Sequence, residues 1–586
     1  MVVSEQIHHR NKTDWAGLAW QYLYFWYFSG LLHLIILATG TAGFVGTRAS
    51  LYMSTLWLVP TMLFPQHARK ISAVIGLLLL PFSLMSLGYL YIYHQEFSQS
   101  VLFVAFESNL AESSEYLSNY FSWGLLTSLL LYTAGAFYLC WRIRPVTLTT
   151  PTKAIFSALI ISLIFVTPFV RHVLLKHRTL EDASERLEAS MEPATPWQVV
   201  IGYVSYQKQL QNMQKILAQT AKIPPLTGLK DDLAGQPSTL VLVIGESTNR
   251  QRMSLYGYGR KTTPKLDSMK HELLTFTNVI SPRPYTIEVL EQALTFADQT
   301  HPDLYLTQPS IMNMMKQAGY KTYWITNQQT MTKRNTMLTT FSKETDEQYY
   351  LNNNRSQDAR QYDSAVYDPL KQVLSQAAPR KFIIVHLLGT HMNYKYRYPE
   401  SYAKFTDRQG VPAWVQNGDE LDFYNSYDNA VLYNDEVVSN LIHTLSKDQN
   451  NSLLLYLSDH GEEVYDNQQT NFKGRSEGRP TASMYTIPFI VWASPLWKNK
   501  HPQDLKATLN RPYMSSNLIY TWADLAGLHF DKFDATKSIV NNHFKEYARL
   551  IGDPYAKAAL TDFDHLISNA PRQQLSINGS SQMGVQ

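Results

Sequence analysis

Along the first third of the chain, apolar and aromatic residues run together at about 17–38, 51–65, 71–93, 122–141 and 154–175. Each stretch is near or somewhat below the ~20 residues that a membrane-spanning helix needs. Five spans are predicted, of which the second is the shortest and is interrupted by Pro60 and Pro65. From Thr239 the pattern changes. Short continuous apolar runs, TLVLVIG, KTYWIT, KFIIVHLLG, SLLLYLS and IPFIVWAS, alternate with stretches of helical period. Runs of that kind belong to strands buried on both faces, and their alternation with helices predicts an α/β domain around a largely parallel sheet. The expected organisation is a transmembrane domain over 1–178, an interfacial helix and linker over 179–236, and a catalytic-sized α/β domain over 237–586.

Charge decides the orientation. With the N-terminus inside, the inner segments carry Arg10 and Lys12, then Arg69 and Lys70, then Arg142, Arg144 and Lys153, whereas the short outer loops carry only Arg48. That is the positive-inside bias. The stretch 94–121 holds Glu96, Glu107, Glu112 and Glu115 with no Lys or Arg, so it faces outward. An odd number of spans then places everything after about 175 outside. The opening residues lack the short apolar core and cleavage site of a signal peptide, so the first span stays as an anchor. Following the last span, Trp197, Tyr203 and Tyr206 suit the headgroup level and predict a helix lying at the interface.

Net charge is +3 with no long basic run, which removes the electrostatic footprint of nucleic-acid binding. The single cysteine, Cys140, lies at the end of an apolar run. The α/β domain therefore has no thiol nucleophile and no cysteine-ligated metal. Its chemistry rests on oxygen and imidazole. The strand-like runs end in such groups: LVLVIG leads into Glu246, FIIVHLLG into Thr390 and His391, and LLLYLS into Asp459 and His460. Ligands of open parallel sheets bind beyond the carboxyl ends of the strands, so these residues converge on one edge. Two carboxylates and an imidazole suit zinc or manganese, with the histidine favouring zinc. Thr286 opens a helical pattern, IEVLEQALTF. A threonine there is either an N-cap or a nucleophile beside a cation, and spacing leaves both open.

The ordered set of five N-terminal spans, V-I-G-E-S-x-x-R-x-x-x-S-L-Y-G-Y, a threonine opening a helix, G-T-H and S-D-H-G-E-E resembles the phosphoethanolamine transferases of Gram-negative envelopes. These belong to the alkaline phosphatase and sulfatase superfamily. SPRPYTIEVLEQALTFA, LYLTQPSIMNMMKQAGYKT and HLLGTHMNYKYRYPE are nearest to the branch that decorates the lipopolysaccharide core heptose. The resemblance implies a bacterial inner-membrane enzyme with its catalytic domain in the periplasm, a phosphatidylethanolamine donor, a lipopolysaccharide acceptor, and contacts to membrane lipids and other inner-membrane proteins. It implies zinc held by Glu246, Thr286, Asp459 and His460, with Thr286 also carrying the phosphoethanolamine. His391 falls on a histidine associated with the transferred group, Ser108 and Glu112 on donor-lipid contacts, and Asn327 and Gln328 on a polar pair near the phosphate.

Two departures stand out. Many relatives carry a second active-site histidine after the D-H-G-E motif, but 461–500 contains none, which leaves Arg475 or Arg479 as replacements. Val104 and the lack of cysteines depart from the lipid A-modifying members. The competing expectations are a lipid A or other envelope-glycan transferase, a glycerol-phosphate headgroup transferase, a hydrolase and a non-catalytic scaffold. A sulfatase is disfavoured because S-P-R-P-Y from Ser281 does not supply the C/S-x-P-x-R pattern.

Overall fold

A computed structural model describes residues 14–38, 44–93, 121–175, 223–329, 340–352 and 362–568, except 449, 469–471, 502–504 and 556–559, together with scattered positions between 183 and 211. Ser108 and Glu112 lie outside the described residues. Chain contacts divide the protein into two compact units near residue 210.

In the first unit, α1 (Trp15–Ala38), α2 (Phe44–Met53), α3 (Leu58–Leu63), α4 (Ala68–Tyr93), α5 (Trp123–Arg142) and α6 (Thr150–Ile161) follow one another. Among the described residues, four helical stretches are long and apolar enough to cross a membrane: Trp15–Ala38, Pro65–Ile92, Trp123–Arg142 and Thr150–Phe169. The expected second span does not form one long helix. It is split into α2, a 3-10 turn over Ser54–Trp57, and α3. Pro60 has no N–H to return to the preceding turn, and the Ser54 hydroxyl donates back to Ser50 O at 2.6 Å. Tyr24, Phe25 and Phe28 of α1 pack with Leu79 of α4 and with Ala136 and Leu139 of α5. Two tyrosines inside this apolar bundle pair reciprocally: Tyr27 Oη donates to Tyr132 O (2.8 Å) while Tyr132 Oη donates to Tyr27 O (3.1 Å). Of the expected interfacial helix, 197–204 is helical, and Trp197 stacks on Trp57.

The second unit is built on a seven-stranded sheet. Its strands in chain order are β1 (Ser238–Gly245), β2 (Leu273–Thr275), β3 (Lys321–Gln329), β4 (Glu347–Asn352), β5 (Arg380–His386), β6 (Asn451–Ser458) and β7 (Phe489–Ala493). Their spatial order is β2-β7-β6-β1-β5-β3-β4. β4, β3, β5, β1 and β6 are parallel, and β7 runs antiparallel to both β6 and β2. All five apolar runs read from the sequence are strands of this sheet. Alternate residues serve opposite faces. Leu240, Leu242, Ile244, Ile384 and Leu455 face α7 (Thr286–Ala293), α8 (Ile311–Gln317) and α11 (Leu518–Leu525). Val241, Val243, Ile383, Val385 and Leu454 face α10 (Asp419–Ser446) across from Val431, Val438 and Leu441, with α9 (Tyr367–Ser375) beside it through Leu370 and Val373. Each such side chain taken fully from water contributes about 1.5–3 kcal/mol.

The parallel register aligns the strand ends. Gly245 of β1 pairs with Ser458 of β6, Ile244 with His386 of β5, and His386 with Thr326 of β3. Whatever follows the ends of those four strands emerges on one edge.

Away from that edge, the buried Glu344 accepts from the Ser310 hydroxyl, which caps α8, and from Asn313 Nδ2 at 3.2 Å. Burial pushes its carboxyl up to about 7. A folded pKa above the unfolded one means the folded chain holds the proton more tightly, so this stabilisation is complete below about pH 4.5 and is lost as pH rises through about 7. Glu344→Gln keeps the hydrogen-bonding shape without the titration. Thermal unfolding of the detergent-solubilised chain at pH 5 and pH 8 should show a smaller difference for the variant, the lost pH dependence amounting to at most about 3 kcal/mol. An unchanged difference would rule out Glu344 as its source.

Candidate metal centre

Glu246 leaves the end of β1, and Asp459 and His460 leave the end of β6 beside it. All three are buried, and one ligand atom from each lies within 4.8 Å of the others. His460 Nε2 is 3.4 Å from Glu246 Oε1 and 3.3 Å from Asp459 Oδ2. His460 Nδ1–H donates to Gly461 O at 2.8 Å, which leaves the lone pair on Nε2, turned toward the carboxylates. Gly461 is required there, because a Cβ would come within 2.1 Å of Ser483 O.

Thr286 enters from the opposite side of the cluster at the start of α7. The N-cap residue is Tyr285, with no side-chain cap. The Thr286 hydroxyl instead donates to Glu246 Oε2 at 3.0 Å, and its residue is only 3% exposed. Of the two readings its sequence position allowed, the cap is not the one adopted.

Supporting contacts fix the ligand oxygens. Ser247 adopts the left-handed backbone conformation (φ 56°), which costs a non-glycine residue on the order of 1 kcal/mol or more. In that conformation its hydroxyl donates to Glu246 Oε1 (2.8 Å) and its N–H to Asp459 Oδ1 (3.0 Å). Tyr427 Oη donates to its carbonyl at 2.7 Å. One residue thus ties both carboxylates together. Asp459 Oδ1 also accepts from His460 N–H at 2.7 Å, whereas Asp459 Oδ2 is buried with no hydrogen-bond partner among the described residues.

The loop after β5 wraps Glu246 from behind. Thr390 N–H and Oγ1 both donate to Glu246 O at 3.0 Å. Gly389 (φ 54°) approaches so closely that a Cβ would stand 2.7–2.8 Å from the Glu246 backbone. Gln328 Nε2 donates to Glu246 Oε2 (3.1 Å) and to Leu387 O (2.8 Å). Asn327 does not reach the carboxylates. Its Nδ2 donates to Asp363 Oδ1, and Asp363 in turn accepts from the N–H groups of Leu388 and Gly389. His391 lies outside the three-residue cluster, close enough for its charge to act on Glu246.

The electrostatics suit a cation. Burial works to raise the Glu246 carboxyl, but the surrounding His460, His391 and Arg475 outweigh it and hold the group well below the usual range. Asp459 goes the other way, raised by burial and then by the negative charge of Glu246. His460 is lowered by burial and then by Arg475. Two buried carboxylates this close otherwise favour one shared proton, and a divalent cation removes that need. With two carboxylates, an imidazole whose Nε2 faces them, and Asp459 Oδ2 without a hydrogen-bond partner among the described residues, the residues fit zinc.

Three contributors carried little or no signal in the sequence. Ser247 sits next to Glu246 with no spacing to mark it. His386 ends β5 as a fully buried imidazole whose ring nitrogens have no partner, pushed down to about 4 by burial. Of the two arginines open as replacements, Arg475 is the one at the cluster: its Nη1–H donates to His460 Nε2 at 2.7 Å.

Comparison with known proteins places this geometry. Residues 238–528 match the Sulfatase family model. The chain is 52% identical over 567 residues to Phosphoethanolamine transferase EptC of Escherichia coli K12, covering 96% of this chain and 98% of that protein. It is 53% identical, with the same coverage, to Phosphoethanolamine transferase CptA of Salmonella typhimurium. Among solved structures, the C-terminal periplasmic domain of EptC from Escherichia coli in complex with Zn superposes with a TM-score of 0.58 at 56% identity, covering 61% of this chain and all of that one. The integral membrane protein lipooligosaccharide phosphoethanolamine transferase A from Neisseria meningitidis matches over 90% of this chain and 98% of that one, with a TM-score of 0.60 at 17% identity, a likeness of fold.

Ser247→Ala should weaken zinc binding by about 10–100-fold, the usual effect of removing a partner of a metal ligand, while leaving the unfolding temperature nearly unchanged. Chelator competition reads the first and a thermal melt the second. Unaltered zinc affinity would show that Ser247 does not orient the ligands.

Proposed function

The chain belongs to the phosphoethanolamine transferases, enzymes built on a sulfatase-family domain, and on that premise we propose that it moves phosphoethanolamine from phosphatidylethanolamine to the lipopolysaccharide core heptose through Thr286. The observation that carries this reading is the Thr286 hydroxyl, buried at a helix N-terminus and hydrogen-bonded to Glu246 within the carboxylate and imidazole cluster. In this reading, 1–178 anchors the enzyme in the bacterial inner membrane and 237–586 works in the periplasm. Four apolar helices and the periplasmic domain of the Escherichia coli relative support that placement.

Glu246, Asp459, His460 and Thr286 would hold the zinc. When bound, the ion supplies Lewis acidity toward the threonine oxygen and a phosphoryl oxygen, worth several kcal/mol of charge stabilisation. The protein's own residues do the rest. Glu246 Oε2 accepts the Thr286 hydroxyl hydrogen and fixes the direction of Oγ1. Gln328 holds the same carboxylate oxygen in place. The positive end of α7 favours the negative charge that gathers there. Oγ1 passes its proton to Glu246 and attacks phosphorus, the bond from phosphorus to the glycerol oxygen breaks, and diacylglycerol leaves with a proton for which His391 is the proposed donor. An acceptor hydroxyl then attacks the phosphoethanolamine-threonine and returns its proton to His391, while the bond to Oγ1 breaks and Oγ1 recovers the proton from Glu246. Ser108 and Glu112 are proposed donor-lipid contacts.

Purified, zinc-loaded protein incubated with phosphatidylethanolamine should gain one phosphoethanolamine at Thr286 by intact mass and peptide mapping, and Thr286→Ala should gain none. Lipopolysaccharide from cells carrying the wild-type chain, but not the variant, should bear the added group on core heptose. A group found on lipid A would correct the acceptor, and a wild-type enzyme without any adduct would overturn the threonine route.

A further inference from the structure

Arg475 differs from the other buried arginines of its unit. Arg283 grips Glu477 with two hydrogen bonds of 2.8 and 2.9 Å, and Arg252 grips Asp428 with bonds of 2.9 and 2.7 Å. Such fork-shaped pairs are how a guanidinium is normally satisfied away from water. The side chain of Arg475 is 12% exposed, against 1% and 6% for those two. Its one hydrogen bond among the described residues goes to His460 Nε2. The nearest carboxylates, Glu462 Oε2 at 3.7 Å and Glu246 Oε1 at 3.8 Å, are beyond hydrogen-bonding distance. Neither oxygen of the buried Glu462 has a hydrogen-bond partner among the described residues. A permanently charged fork therefore stands at the cluster with most of its donors unused, within electrostatic reach of Tyr285, the residue before Thr286.

The bond it does make is one it must give up. A cation held through His460 Nε2 needs the lone pair that Arg475 occupies, and like charges then push the guanidinium away from the ligands. We infer that Arg475 is the anion clamp of the site, turning from His460 to the phosphoryl oxygens of the group on Thr286 when the cation takes the histidine. Glu462 stays beside the guanidinium through this turn and keeps its charge balanced. The inference rests on Thr286 as the carrier.

The test uses the full-length chain in detergent, with Arg475→Met removing charge at similar volume and Arg475→Lys keeping charge without the fork. Three quantities are measured: zinc affinity by chelator competition, binding of inorganic phosphate to the zinc-loaded protein, and the rate of Thr286 modification by phosphatidylethanolamine. Arg475→Met should bind zinc about tenfold more tightly, because a competitor and a repelling charge are gone. It should bind phosphate at least about tenfold more weakly and modify Thr286 about 100-fold more slowly, as loss of a preorganised donor does. Arg475→Lys should keep zinc affinity near wild type and recover part of both losses. Weaker zinc binding in Arg475→Met would mean that the arginine merely supports the ligands, and wild-type phosphate binding or modification in that variant would equally overturn the clamp. If the wild-type chain itself forms no adduct, the carrier reading falls while the zinc and phosphate measurements still judge Arg475.

Discussion

Everything at the sheet edge is organised around one carboxylate. Glu246 sits almost wholly out of water, and its two oxygens collect the hydroxyls of Ser247 and Thr286, the amide of Gln328 and the approach of His460. A buried carboxylate costs several kcal/mol unless its charge is answered. The surrounding chain answers it from four directions. β1 delivers the acid, β6 the neighbouring aspartate and histidine, the loop after β5 seals its backbone, and α7 brings the threonine. Each of these would be an ordinary strand end or helix start without the charge they share.

The fold was largely legible because its strongest signals are the ones that hydrophobic patterning carries. Five continuous apolar runs became five strands, and the parallel register of four of them put the acids and the histidines that follow on one edge. Two strands went unread for physical reasons. Leu273–Thr275 is only three residues long, and Glu347–Asn352 lies at the sheet margin with polar and half-buried positions. In the membrane unit the second apolar stretch was the one with two prolines, and there the helix breaks.

The candidate site was legible as residue types but not as contacts. Glu246, Asp459 and His460 could be named because they directly follow apolar runs. Asn327 and Gln328 look alike in sequence, yet they point to different partners, the one supporting a loop through Asp363 and the other touching the carboxylate. Alternation along a strand separates neighbours onto opposite faces, so adjacency in sequence is no guide to shared duty. Ser247 was invisible because its role depends on a left-handed backbone angle that no local pattern announces.

The pairing of Gly245 with Ser458 has a further consequence. The spacing between Glu246 and Asp459 is set by main-chain hydrogen bonds of adjoining strands, within a sheet held by two large apolar layers. Unlike small domains that are strung together by their ion, this scaffold draws its cohesion from those two layers. Scarcity of the metal would idle such an enzyme without unmaking it, leaving a standing population of finished molecules whose output follows the supply of zinc rather than the rate of synthesis.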